Sequence, residues 1–237
     1  MTQLILLPGL ASNAVMWQHQ LIHLPAELPV HVSTVHTRYD RIEAMASAVL
    51  EDHPGRLILC GASMGGMVAM EVLRQAPQRV SAAALLGTSA RPETEDMRRL
   101  REAAILLFED GRSAEIVRAN VPLAFHASRA RDDALTRTYL DFVLAAGADQ
   151  LVRQNRAVMA RPDARQHLSR TNCPVLVMCG DSDLLTPPEC SQEIAALVPG
   201  AQLVMVPQSG HMLTMEQPEF VTTCLRDWLR VVNAAGA

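Results

Sequence analysis

The sequence predicts an α/β fold: a mostly parallel sheet of about six strands, flanked by helices, with a helical cap inserted before the last two strands. Three observations carry this. Short apolar runs of strand length alternate with longer segments of helical periodicity, the pattern of a parallel sheet with helices on both faces. From Arg91 to Arg170 the texture changes to a charge-rich stretch with no strand-like run. Finally, Gly61-Ala62-Ser63-Met64-Gly65-Gly66 joins the strand-like residues 56–60 to the helix-like residues 67–74. Residues 1–90 and 171–237 are therefore expected to form the core, and 91–170 the inserted cap.

Taken in order, residues 2–7 form a buried strand ending at Pro8-Gly9-Leu10, and 13–24 carry Trp17, Leu21 and Leu24 at helical spacing. Residues 30–35 read as a second strand. Asp40-Arg41-Ile42-Glu43 has the form of a capping box, with Asp40 as N-cap and Glu43 reaching back, and opens a helix running to about His53. The elbow helix is followed by a strand over 80–86. In the insertion, helices are expected over 97–109 (closed by Gly111), 114–120, 133–146 and 149–160, with breaks at Pro122, Gly147 and Pro162. Alternation resumes with a strand over 174–179, a helix over 188–198, a last strand over 202–206 and a closing helix over 218–232.

Composition narrows the chemistry. A chain of 237 residues suffices for one α/β domain carrying an insertion. The net charge of −4 gives no reason to expect a nucleic-acid partner. No apolar run approaches the roughly 18 residues of a membrane span, so no membrane partner is expected either. The start, Met1 to Gly9, lacks a basic region and is short for a signal peptide, so a first strand explains it better. Five cysteines without a CxxC pair suit free thiols in a reducing, cytoplasmic setting. All 21 basic residues are arginine. Without lysine there is no Schiff base, no lysine-anchored pyridoxal phosphate, no Walker A lysine and no Ser-Lys dyad.

The chemistry-bearing residues fall in loops after strands. Strand, Gly-x-Ser-x-Gly, helix is the pattern of a nucleophile elbow, in which Ser63 sits in strained backbone with its hydroxyl exposed. A serine hydroxyl needs a base at neutral pH. Of eight histidines, His211 stands between the last strand and the last helix, in Ser209-Gly210-His211-Met212. His19 and His23 are four apart on a helical segment but have no third ligand nearby, so no metal is expected there. A base needs an orienting carboxylate, and Asp181 or Asp183, after the strand over 174–179, is placed to serve. A tetrahedral intermediate needs two N–H donors; Met64, after the nucleophile, supplies one and Leu10, after the first strand, another. In the cap, Phe108, Phe125, Tyr139, Phe142 and Met159 read as helix packing before they read as pocket lining.

The order oxyanion loop, Ser, Asp, His, together with the elbow, resembles the α/β-hydrolase family over nearly the whole chain. Gly180 to Asp183 match the family's Gly-x-x-Asp, so the resemblance favours Asp183 over Asp181. Gly210-His211 match its Gly-His, and the insertion matches its cap domain. The family's first two strands are missing, hence about six. Pro8-Gly9 replaces the His-Gly of many relatives, and Ala62 is small where a large residue is common. Some relatives place the acid after the strand preceding the cap, where Glu93 and Asp96 lie. Met64-Gly65-Gly66-Met67 and Glu216-Gln217-Pro218 look like the enol-lactonase and small-esterase branch. The resemblance implies attack by Ser63 on a small-molecule ester or lactone, His211 as base, Asp183 ionised, and no metal or organic cofactor. Thioester or C–C bond hydrolysis on the same triad, or ligand binding without catalysis, are the competing readings.

Overall fold

The computed structural model describes residues 2–235. Strands β1 (Thr2–Leu7), β2 (Val30–Val32), β3 (Arg56–Ala62), β4 (Val80–Leu86), β5 (Val175–Gly180) and β6 (Gln202–Val206) form one sheet in the order β2-β1-β3-β4-β5-β6. Every neighbouring pair is parallel. The helices are α1 (Gln18–His23), α2 (Val35–Arg38), α3 (Ile42–Asp52), α4 (Met64–Gln75), α5 (Glu95–Glu109), α6 (Ser113–Ala119), α7 (Val121–Ala124), α8 (Asp133–Ala145), α9 (Ala148–Met159), α10 (Arg165–Leu168), α11 (Pro188–Leu197), α12 (Leu213–Glu216) and α13 (Pro218–Ala235). Helices α5 to α10 lie between β4 and β5, the stretch expected to hold only helices.

The four inner strands β1, β3, β4 and β5 are apolar runs buried on both faces, and their residues divide by parity. Leu4, Leu6, Ile58, Cys60, Ala82, Ala84, Leu176 and Met178 pack on one side with Trp17, Leu225 and Trp228 and with the insertion's Phe108, Phe125 and Phe142. Ile5, Leu7, Leu57, Leu59, Ala83, Leu85, Val175 and Val177 pack on the other with Met45, Val49, Val68, Val72 and Ile194. Among the described residues no helix is long and apolar enough to cross a membrane.

Strand order reverses between β1 and β3: β2 lies to one side of β1, and β3 to β6 lie to the other. A crevice opens at such a switch point, outside the C-terminal strand ends. The loop Pro8-Gly9-Leu10 follows β1 and the elbow follows β3, so both stand at the switch point.

Three local expectations differ from the structure. The second strand stops at Val32 because Ser33 and Thr34 turn the chain into α2, with the Val35 N–H donating to the Ser33 hydroxyl at 3.4 Å. The capping box does not form. Arg41, not Asp40, is the N-cap of α3, and Glu43 accepts from the Arg41 guanidinium at 3.0 Å instead of reaching back to the backbone. Helix α5 starts two residues early because Thr94 caps it, accepting from the Met97 N–H at 3.3 Å.

The turn from β3 into α4 is where glycine is required. A Cβ on Gly61 would overlap the Gly65 carbonyl, and one on Gly65 would overlap the Leu7 carbonyl, all backbone atoms that cannot swing away. Gly65→Ala should therefore cost about 3 kcal/mol or more in urea unfolding. Gly111→Ala has open space around it but a φ of +76°, and should cost only about 1 kcal/mol.

Candidate active site

Ser63 is the N-cap of α4 with φ 53° and ψ −118°, a conformation strained for any residue but glycine. Its backbone is held on both sides. The Ser63 N–H donates to Leu86 O at 2.9 Å, and Ser63 O accepts from the Thr88 hydroxyl at 2.7 Å and the Gly66 N–H at 2.9 Å. The site of a Cβ on Gly9 is 3.3 Å from Ser63 Cβ, so the loop after β1 lies directly against the serine. Neither the Leu10 nor the Met64 N–H has a hydrogen-bond partner among the described residues. They remain free donors beside the serine, at the positive end of α4.

Asp183 is 1% exposed, in the turn after β5. Its Oδ1 accepts from the Leu185 and Thr186 N–H groups, both at 2.9 Å. Its Oδ2 accepts from the Thr186 hydroxyl at 3.0 Å and lies 2.8 Å from His211 Nδ1. That last bond places the ring proton of His211 on Nδ1 and leaves Nε2 as the free acceptor. The His211 side chain is 9% exposed. Ser63 Oγ makes no hydrogen bond to it in this structure, but Gly87, at the end of β4, has its Cβ position 3.2 Å from Asp183 Oδ2 and 3.5 Å from His211 Nδ1. The next residue, Thr88, is the one bonded to Ser63.

Asp181 does something else. Its carboxylate accepts from the Gln208 N–H at 2.9 Å, the Ser209 N–H at 3.4 Å and the Ser182 hydroxyl at 2.9 Å. It ties the loop after β5 to the loop that carries His211. Ser182 N–H adds a bond to Ser209 O at 3.0 Å, and Gly180 lets the two loops touch.

The insertion grips the same loop. The His211 and Met212 N–H groups both donate to Ala124 O, at 2.9 and 3.1 Å. Buried Glu216 accepts from the Gly210 N–H at 2.9 Å and, across the boundary, from the His126 N–H at 2.7 Å. Burial pushes the Glu216 carboxyl up despite those bonds. Sequence reasoning did not assign Thr186, Glu216 or Thr88. The first two had visible signals in Asp183-x-x-Thr186 and in the Glu-Gln-Pro run; Thr88 had none.

Glu93 is bonded to Arg101 at 2.6 Å and Arg161 at 2.9 Å, not to His211, and Asp96 is exposed at the start of α5. Phe125, Tyr139 and Phe142 stack edge-to-face with centroids 5.2 and 5.5 Å apart, so these aromatics pack the insertion. His19 and His23 stack at 4.2 Å, with His19 Nδ1 2.8 Å from the Thr222 hydroxyl. Among the described residues no group of three or more His, Cys, Asp or Glu side chains is arranged to hold a metal ion.

Electrostatics couple the Asp183–His211 pair. Burial opposes the charge on Asp183, but the His211 ring and the bonds it accepts outweigh that and hold the carboxyl below its usual range. Burial likewise opposes charge on His211, and the Asp183 carboxylate overcomes it, raising the imidazole above its ordinary value. A depressed carboxyl stabilises above its unfolded value, near 3.9, and a raised histidine below its own, near 6.5. The pair's contribution is therefore complete between about pH 4 and 6.5. It is lost below, as Asp183 takes a proton, and above, as His211 gives one up. By imidazole NMR, His211 should titrate above about 6.5 in the native protein and fall on Asp183→Asn; an unmoved midpoint would contradict the coupling.

A model described as the alpha/beta hydrolase family matches residues 4–223. The pimeloyl-(acyl-carrier protein) methyl ester esterase of Nitrosomonas europaea is 24% identical, over 93% of this chain and 93% of its own. The provisionally named carbamate hydrolase RutD of Serratia proteamaculans is 26% identical, over 95% of this chain and 90% of its own. The solved structure of a thermophilic esterase from Thermogutta terrifontis superposes with a TM-score of 0.89 at 27% identity, covering 98% of this chain and 90% of that one. With the family model spanning the sheet, the elbow and the loops of Asp183 and His211, the chain belongs to the α/β hydrolase family.

Proposed function

We propose that this α/β hydrolase cleaves a carboxylic ester or lactone of a small molecule through a Ser63-His211-Asp183 triad and an acyl-enzyme. The observation that carries the reading is the 2.8 Å bond that His211 Nδ1–H donates to a buried carboxylate, at the end of the sheet that also presents a strained serine and two amides without partners among the described residues. The relatives support it from the chemical side. A methyl ester and a carbamate both carry a trigonal acyl carbon, attacked through an oxyanion.

In this reading Ser63 Oγ bonds to the acyl carbon while its proton passes to His211 Nε2. The carbonyl electron pair moves to oxygen, where the Leu10 and Met64 N–H groups hold it, each worth on the order of 3 kcal/mol in the barrier. Asp183 stays ionised and stabilises the imidazolium. The intermediate collapses, His211 gives its proton to the leaving oxygen, and water repeats the sequence to release the acid. Residues 91–170 act as a cap over the site, supported by the contacts of Ala124, His126 and Gln154 with the catalytic loops. Five free cysteines support a reducing, cytoplasmic setting.

The test is intact-mass labelling with a fluorophosphonate, then rates on a panel of short p-nitrophenyl esters, lactones and thioesters. One adduct is expected on Ser63, absent in Ser63→Ala. Asp183→Asn should lower kcat by about 10⁴-fold, whereas Asp181→Asn should stay within about tenfold and act mainly on stability. Equal losses in the two variants would overturn the triad assignment, and an unlabelled, folded native protein would overturn the reading as a whole.

A further inference from the structure

The loop after β1 is held by a buried side chain from the insertion. The Ser12 N–H donates to Gly9 O at 3.2 Å, closing a turn whose third residue, Ala11, has φ +52°. A positive φ there marks a turn that calls for glycine or asparagine, so alanine is strained. The amide between Leu10 and Ala11 is pinned at both ends. The Ala11 N–H donates to Gln154 Oε1 at 2.7 Å, and Leu10 O accepts from the Ser12 hydroxyl at 3.3 Å.

Gln154, on α9, is 0% exposed and has its other end fixed too: its Nε2 donates to His36 O at 2.8 Å. The His36 ring closes the circuit, with Nε2 2.8 Å from Ser12 O. Burial lowers the His36 pKa, the Ser12 bond opposing it, so the neutral ring donates from Nε2. Both ends of the Gln154 amide are thus used, the oxygen on the turn that lies against the serine and the nitrogen on α2. An apolar residue of the same size would leave the Ala11 N–H and the His36 carbonyl buried without partners.

We propose that Gln154 is a positioning residue for the oxyanion hole: by taking the Ala11 N–H it keeps the Gly9–Ser12 turn in the strained form that leaves the Leu10 N–H free and facing Ser63. The assignment rests on the serine-hydrolase reading. Released from Gln154, the strained turn relaxes as a whole, the Gly9–Leu10 amide moving with Ala11, and the Leu10 donor loses its aim. The acyl group still binds, so the loss falls on the step in which charge develops.

The test compares native protein with Q154M, Q154N and Q154E, each checked for folding by thermal melt. Substrate is p-nitrophenyl acetate, and phenylboronic acid, which adds to Ser63 as a tetrahedral anion, probes the hole directly. For Q154M, kcat should fall about tenfold or more with KM within about twofold, and boronate affinity should fall by a similar factor. Q154N, one methylene too short to span Ala11 and His36, should behave alike and decides the question if Q154M does not fold. Q154E keeps an acceptor for the Ala11 N–H and should recover part of kcat. Folded Q154M or Q154N with native kcat and native boronate affinity would overturn the role of Gln154 alone. Native protein that takes neither boronate nor fluorophosphonate at Ser63 would overturn the serine reading and this assignment with it.

Discussion

The site depends on how closely α4 can approach the end of β1. A helix normally keeps its backbone several ångströms from a neighbour because side chains intervene. Here Gly65 lies against the Leu7 carbonyl and Gly61 against Gly65, backbone on backbone. That contact forces the abrupt turn in which Ser63 adopts φ 53°. It also brings Gly9 to the serine, and so decides where free amides stand relative to the hydroxyl. The strain is tolerated because Leu86 and Thr88 hold the serine's own N–H and carbonyl.

Three carboxylates organise the loops that follow β5 and β6, and environment separates them. Asp183, bonded to the His211 ring and to two backbone amides, is held below the usual carboxylate range. Asp181, more open to solvent, accepts from two backbone amides and stitches one loop to the next; its carboxyl is also lowered, by those bonds against the pull of burial. Glu216 is buried with two neutral N–H donors and no cation bonded to it, so burial prevails and its carboxyl is raised. The same functional group thus serves as an electrostatic partner, a loop brace and a clamp between core and insertion.

Much of this was legible in the sequence. The strands were visible as apolar runs because both faces of a parallel sheet are buried, and the elbow because steric necessity fixes its glycines. β6 matched to the residue and α5 missed only its Thr94 cap. Spacing alone did not separate Asp181 from Asp183; they are two residues apart, and their difference lies in which partners a turn delivers to each. The capping box failed because Arg41 competes for Glu43, a choice of side-chain pairing that no motif encodes. Gln154 was invisible for a stronger reason. It reads as one more polar residue on an amphipathic helix, and only the docking of α9 on the first loop gives it partners.

The bond from Gln154 to Ala11 spans 143 residues, and the one from Glu216 to His126 spans 90. Contacts of such separation carry a large loop-closure cost and form late in folding. The sheet can nucleate from strands close in sequence, but the amide of the first loop and the histidine of the last are fixed only once the insertion docks on both. The arrangement of loops around Ser63 is therefore among the last features the chain acquires. An intermediate with a finished sheet and an undocked insertion would hold Ser63 in its turn but leave Ala11 and His211 unanchored, so that the surroundings of the serine record the completion of folding.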